Sequence, residues 1–377
     1  MHSTDIDNVL IVYEKFATAK SGGARESLLT LLNGLARNRD ISVTVYQTPP
    51  IDAWPTTEYE YEVNSIQIRS VPKFTWMNQV YARHQWRREL RSVVDDTYDL
   101  ILTQNRVAPA AISVANQAGI PSLFFVRSMA LTGYEKYNPE KGTIANLRQT
   151  DLGGRVQYPF LRRNFRQYRE AAQLSSHTIA NSEFTRSRLA ELFDIDARVI
   201  YPPIQLEQYR VEYNTSGSIV MVNPRAEYKG PDIFLKIAKE MSEESFILAG
   251  PLPSQEMEEQ TEQMDNVSYI EWCEDIRTVY RDAKVVVVPS RWEEPFGRVP
   301  AEAMVSGIPC VVSDRGGLPE VVGETGEIVR DIELTEAWTA AIERALDNHD
   351  PDAQRDRVSR FSAETQIHCL EELLDEL

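Results

Sequence analysis

The fold is decided by Lys284-Val-Val-Val-Val288 and, six residues on, Glu294-Pro-Phe-Gly-Arg-Val-Pro-Ala-Glu302-Ala-Met304, closing on Gly307-Ile-Pro-Cys310. Four consecutive valines are stiff at χ1 and read as a short buried strand. Phe296-Gly297 interrupts the run. Residues 298–306 then read as a helix, and 309–313 as the next strand. Working outward, the same plan recurs. Residues 218–222 precede a helix over 232–241, and 246–249 precede one over 255–264. In the first half, 8–13 (NVLIVY) leads through Ser21-Gly22-Gly23 to a leucine-rich helix. Strands at 41–46, 100–103, 122–126 and 177–181 follow, with helices at 108–118 and 184–193. Strands alternating with helices imply α/β architecture with parallel, doubly wound sheets.

The chain has 377 residues, too many for one ordinary core. The seam falls at Tyr201-Pro202-Pro203 and Asn214-Thr215-Ser216-Gly217, strong loop chemistry. The expected organisation is a domain over 1–200, a linker over 201–217, a domain over 218–355 and a C-terminal crossover helix over 356–377. That helix has Ile367, Leu370, Leu373 and Leu374 on one face and is expected to pack back toward the first domain. Ligands of such sheets bind beyond the carboxyl ends of the strands, so a cleft between the two facing domains is the expected site.

Apolar residues make up 42% and charged residues 26%, a globular composition that excludes disorder throughout. Three cysteines cannot form a disulfide framework, and five scattered histidines do not suggest zinc. No apolar run approaches the ~20 residues that span a bilayer. Residues 1–9 lack the basic-then-apolar plan of a signal peptide, so the expectation is cytoplasmic, at most at the inner face of a membrane. The net charge is −17: residues 1–200 hold 24 Lys+Arg and 21 Asp+Glu, and residues 201–377 hold 16 and 36. With nine lysines against 31 arginines, the composition suits a halophile-like acidic surface in concentrated salt. Free nucleic acid is a poor partner for such a chain.

Three constellations carry chemistry. Glu294 lies in the loop before a helix and Glu302 one turn inside it, so they would reach different parts of one elongated ligand. The Phe296 and Gly297 N–H groups between them favour an anion or an oxygen-rich ligand. After the strand 218–222, Arg225 and Lys229, with Gly230 following, form a cationic clamp suited to two phosphates. Gly22-Gly23, after the first strand, lets the backbone approach a phosphate or sugar closely. Taken singly, each is also compatible with an ordinary acidic helix, surface cations or a turn.

Together they resemble the Glu-x7-Glu signature of retaining glycosyltransferases of the GT-B class, in particular family 4 (glycosyl transferases group 1). The resemblance extends through Glu302-Ala303, Gly307-Ile308-Pro309, Gly316-Gly317-Leu318-Pro319-Glu320 and Gly323-Glu324-Thr325-Gly326. It is dense from about 218 to 330 and sparser before. It implies two Rossmann-like domains and roles for individual residues. Glu302 would take the ribose hydroxyls of a nucleotide-diphosphate sugar. Glu294, beside the Phe296 and Gly297 N–H groups and with Arg298, would serve the donor sugar. Arg225 and Lys229 would hold the diphosphate, and Gly22 and Gly23 would close on it. The base would rest near Trp272. Where family members often carry a histidine, this chain has Arg127, which cannot accept a proton but can stabilise leaving-group charge. The implied reaction is retaining, metal-independent and without cofactor.

Two stretches stand out for the acceptor. Residues 71–91 mix Phe74, Trp76, Tyr81 and Trp86 with Lys73, Arg83, Arg87, Arg88 and Arg91. Residues 155–169 carry Arg155, Arg162, Arg163, Arg166 and Arg169 among aromatics. Basic residues interleaved with aromatics suit an anionic membrane surface or a lipid-linked or growing glycan acceptor. The competing classes are a nucleotide-sugar 2-epimerase of the same architecture, which would want acid/base side chains at the sugar, and a non-catalytic sugar-binding protein, which would not need the clamp.

Overall fold

Alternation of side chains along buried strands sets both sheets. The computed structural model describes residues 6–17, 23–49, 61–69, 75–134 and 152–377. Gly22 and residues 71–74, with Lys73 and Phe74, lie outside the described residues. The chain divides into one unit of Met1–Tyr201 with Ile367–Leu377 and a second of Pro202–Gln366.

The first unit holds seven strands: β1 (Asn8–Val12), β2 (Ser42–Gln47), β3 (Glu62–Ser65), β4 (Leu100–Gln104), β5 (Ser122–Val126), β6 (His177–Ala180) and β7 (Arg198–Val199). All pair in parallel, in the order β3-β2-β1-β4-β5-β6-β7. Val9 and Ile11 of β1 enter one core and Leu10 and Val12 another, as a strand covered on both faces requires. The first core is closed by α1 (Gly23–Asn38) through Leu28, Leu31, Leu32 and Leu35. The opposite face is covered by α2 (Thr75–Val93), α3 (Ala108–Ala118), α4 (Leu152–Leu174) and α5 (Glu183–Phe193). The two basic, aromatic stretches are therefore long helices. Their aromatics are largely core: Trp86, Tyr158, Phe165 and Tyr168 are all buried.

The second unit has β8 (Ser218–Val222), β9 (Phe246–Ala249), β10 (Val267–Ile270), β11 (Ala283–Val288), β12 (Cys310–Ser313) and β13 (Glu327–Val329). They form a parallel sheet ordered β10-β9-β8-β11-β12-β13. Its helices are α6 (Pro231–Glu240), α7 (Gln255–Glu262), α8 (Arg277–Arg281), α9 (Arg298–Met304), α10 (Leu318–Val322), α11 (Thr335–Asp347) and α12 (Pro351–Ser359). Trp338 is fully buried here, and its indole N–H donates to the Ile332 carbonyl at 2.9 Å.

In place of one crossover helix over 356–377, α12 ends at Ser359 and a separate last helix, α13 (Ala363–Asp375), follows, which joins the first unit from Ile367 on. Leu370, Leu373 and Leu374 complete the core that α1 closes. Gly34 of α1 makes room for Ile367, since a Cβ there would fall 2.1 Å from its Cδ1. Asn38 and Arg39 bond to Glu371 and Asp375 at 2.8 and 2.5 Å.

Candidate functional site

In the second unit the loops after β8, β11 and β12 are pressed together. Gly230 adopts φ +79°, and a Cβ on it would stand 2.1 Å from the Pro289 carbonyl oxygen. The Arg291 N–H donates to the Tyr228 carbonyl at 2.8 Å, and the Ser313 hydroxyl donates to the Ser290 carbonyl at 2.6 Å. Two loops distant in sequence thus lie side by side. Across them the Lys229 ammonium pairs with the Glu294 carboxylate and lies 5.3 Å from the centre of the Trp292 ring. Both side chains are mostly buried, at 18% and 12% exposure. Arg225 is exposed and has no ion pair or hydrogen bond among the described residues.

The Glu294 backbone is itself clamped. Gly316 has φ +61°, and a Cβ there would sit 2.1 Å from the Glu294 carbonyl oxygen. The neighbouring Gly317 N–H donates to that same oxygen at 2.7 Å. One turn into α9, Glu302 accepts from Arg298 Nε and from the Tyr280 hydroxyl, each at 3.1 Å. Arg298 in turn donates to the Tyr209 hydroxyl at 3.2 Å. Burial pushes the Glu302 carboxyl above its ordinary value, with Arg298 working against the shift. Burial likewise holds the Tyr280 phenol protonated, so it serves as a donor.

Among the other expected residues, Phe296 packs edge to face on Phe361, with centroids 5.1 Å apart. Its ring belongs to the core, leaving only its backbone for a ligand. Gly297 has φ +129°. Trp272 is 79% exposed after β10 and makes no ring contact or hydrogen bond among the described residues. Arg291 binds Asp232 at 2.6 and 2.8 Å and Glu333 at 2.5 and 2.9 Å, tying the β11 loop to α6. Neither that network nor Tyr209 and Tyr280 is announced by any sequence motif.

In the first unit Arg127 follows β5 and is buried. Its Nε donates to Gln104 at 2.9 Å, and its guanidinium lies 4.8 Å over the Phe125 ring. Asn181 donates to the Arg127 carbonyl at 3.0 Å. Arg127 is thus held at the carboxyl ends of β4, β5 and β6. Gly23 opens α1, and its carbonyl accepts from the Ser27 hydroxyl at 2.7 Å. Glu14, just after β1, is a further carboxyl that the motifs did not indicate, and burial raises its pKa.

Lys229 with Glu294, and Arg298 with Glu302, thus form two ion pairs on the loops and helix that follow the strands of the second unit, an inventory suited to a ligand that is anionic at one part and polyhydroxylated at another. Among the described residues no group of three or more His, Cys, Asp or Glu is placed to hold a metal ion, and no helix is long and apolar enough to cross a membrane.

Comparison with known proteins gives two family matches, "Glycosyl transferases group 1" over residues 217–348 and "Glycosyltransferase Family 4" over 21–208. Spore coat protein SA of Bacillus subtilis (strain 168) is 30% identical over 181 residues, 43% of this chain and 48% of that protein. The match thus spans about half that relative's length. Putative glycosyltransferase YtcC of the same organism is 24% identical over 335 residues, 77% of this chain and 75% of that one. Among solved structures, Anabaena Alr3699/HepE in complex with UDP and glucose superposes with a TM-score of 0.69 at 18% identity, covering 98% of this chain and 99% of that one.

Proposed function

We propose that this chain, which belongs to the group 1, family 4 glycosyltransferases and has their α/β GT-B fold, moves a sugar from a nucleotide-diphosphate sugar to a glycan or lipid-linked acceptor with retention of anomeric configuration. The observation that carries the reading is the meeting of Lys229 with Glu294, 65 positions apart, with Arg225, exposed and without an ion pair or hydrogen bond among the described residues, four positions before Lys229. A diphosphate would draw Lys229 and Arg225 to itself and leave Glu294 to accept from sugar hydroxyls. Glu302 would accept from the ribose hydroxyls, oriented by Arg298 and Tyr280.

The C1–O bond to the diphosphate breaks with its electron pair going to the leaving oxygen. The acceptor oxygen bonds C1 from the same face, and its proton passes to the departing phosphate. The positive charge of Lys229 and Arg225 stabilises what grows on the leaving group, and no metal is assigned to that task. Arg127 adds a fixed cation on the acceptor-binding unit. Arg87, Arg88 and Arg91 of 71–91 and the exposed arginines of 155–169 form the side that would meet an anionic membrane when the acceptor is lipid-linked, whereas Arg83 is buried and does not take part.

The HepE complex makes UDP-glucose the first donor to try. A thermal-shift screen of nucleoside diphosphates and their sugars is expected to raise the melting temperature with one nucleotide series. NMR of the product linkage should show the donor's anomeric configuration, and EDTA should leave turnover intact. An inverted linkage, or activity abolished by EDTA and restored by manganese, would overturn the corresponding part.

A further inference from the structure

Helices α2 and α4 flank an open hollow of about 650 Å³ on the first unit, within the usual size of ligand sites. Its lining includes the half-buried Arg87 from α2, the exposed Arg162, Arg163 and Arg166 from α4, and Tyr158 and Glu170. We propose that this hollow binds a phosphate-bearing group, a mono- or diphosphate ester, through these four arginines.

Three observations carry it. First, none of the four has an ion-pair or hydrogen-bond partner among the described residues. Acids are plentiful in this chain, and arginines elsewhere use them: Arg186 pairs with Asp196, Arg344 with Glu327 and Arg355 with Asp352. Second, the Nε of Arg87 is buried with no acceptor among the described residues, and a buried unpaired donor is costly. Burial, and after it Arg163 and Arg91, lower the Arg87 pKa. Third, like charges one turn apart, as at Arg162 and Arg166, weaken a helix. A bound anion would give the exposed guanidinium groups acceptors and offset the repulsion among them. With one opposing carboxylate, the cluster carries a net charge of about +3 and matches a ligand of two to four negative charges. Trp86, Tyr158, Phe165 and Tyr168 are core, and Tyr81, 44% exposed, does not line the hollow, so charge rather than apolar insertion defines this site.

The ligand could be a soluble phosphate ester or a lipid headgroup, which share this chemistry. The proposal does not rest on the sugar-transfer reading, although its headgroup outcome would coincide with the membrane contact proposed there. The full chain carrying Arg225→Ala and Lys229→Ala, which silences the other phosphate clamp, is titrated calorimetrically with inorganic pyrophosphate. Adding Arg162→Gln/Arg166→Gln should weaken binding roughly ten-fold or more. Adding Arg169→Gln, on the same helix outside the hollow, should leave it unchanged. On the unsubstituted chain, pyrophosphate should protect Arg162, Arg163 and Arg166 from phenylglyoxal, read by mass spectrometry. Sedimentation with phosphatidylcholine vesicles, with and without phosphatidic acid, separates the sources. Pelleting only with phosphatidic acid, lost in the Arg162/Arg166 variant, assigns a headgroup. Pyrophosphate binding without pelleting assigns a soluble ester. Equal titrations of all variants and no protection of the three arginines would overturn the proposal.

Discussion

Lys229 and Glu294 neutralise each other across two loops, so replacing either exposes a charge that the other was holding. Lys229→Ala is expected to slow turnover at saturating donor by ~10²-fold or more, the usual cost of losing one preorganised charge at a transition state. Glu302→Ala should instead raise KM for the donor while changing kcat less. Steady-state kinetics on both variants separates the two roles, and a reversed pattern would exchange them. Glu302 also has a pH signature. Its pKa is raised by burial above 4.5, so its neutral form favours folding and its ionisation opposes it as pH rises through the folded value. Relative to the parent, Glu302→Gln should therefore gain stability as pH climbs from about 4.5, read as a growing difference in urea midpoints. Lys229, Glu294 and Glu302 stood out in the sequence because each comes soon after a strand and close to a glycine, Gly230 or Gly297. Tyr209 and Tyr280 were not, since they reach the site only once α8, α9 and the segment after Tyr201 have packed.

At the scale of elements, Gly316 shows why the glycine-rich loop after β12 matters: the backbone of Glu294 occupies the space a side chain would need. Gly119 has a similar positive φ, at +70°, but open space around it. Gly119→Ala should cost only the backbone strain, ~1–2 kcal/mol. Gly316→Ala should cost more and also depress kcat/KM, because the loop must move Glu294. Melting curves and kinetics on the pair test this, and equal effects would detach the loop from the site. The parallel sheets were legible from valine-rich runs and turn chemistry. β3 and β7 were not, being edge strands of four and two residues. Helix α2 was hidden for another reason: its buried face includes Gln79, Arg83 and Gln85, which break the apolar period. Arg83 is tolerated there because it donates to the Arg106 carbonyl at 2.8 Å and to Gln167 at 3.0 Å, and lies 4.7 Å over the Tyr168 ring.

Over the whole molecule, the charge asymmetry shifts once α13 is counted where it packs. Ile367–Leu377 bring Glu371, Glu372, Asp375 and Glu376 and no Lys or Arg to the first unit, leaving it nearly neutral. The second unit then carries almost all of the −17. Raising KCl from about 0.1 M to about 1 M shortens the Debye length from ~10 to ~3 Å and screens that repulsion. The calorimetric midpoint of the second unit should rise, and a flat or falling midpoint would contradict salt adaptation. The placement of α13 also bears on how the protein is made. Residues 202–366 form the second unit, yet Leu370, Leu373 and Leu374 belong to the first. At ~5–20 residues per second, the ribosome adds those leucines roughly 8–35 s after Tyr201. Throughout that interval the nascent first unit presents an unfilled apolar slot beside α1, a ready target for a holding chaperone. Its native closure waits for the second unit to be synthesised.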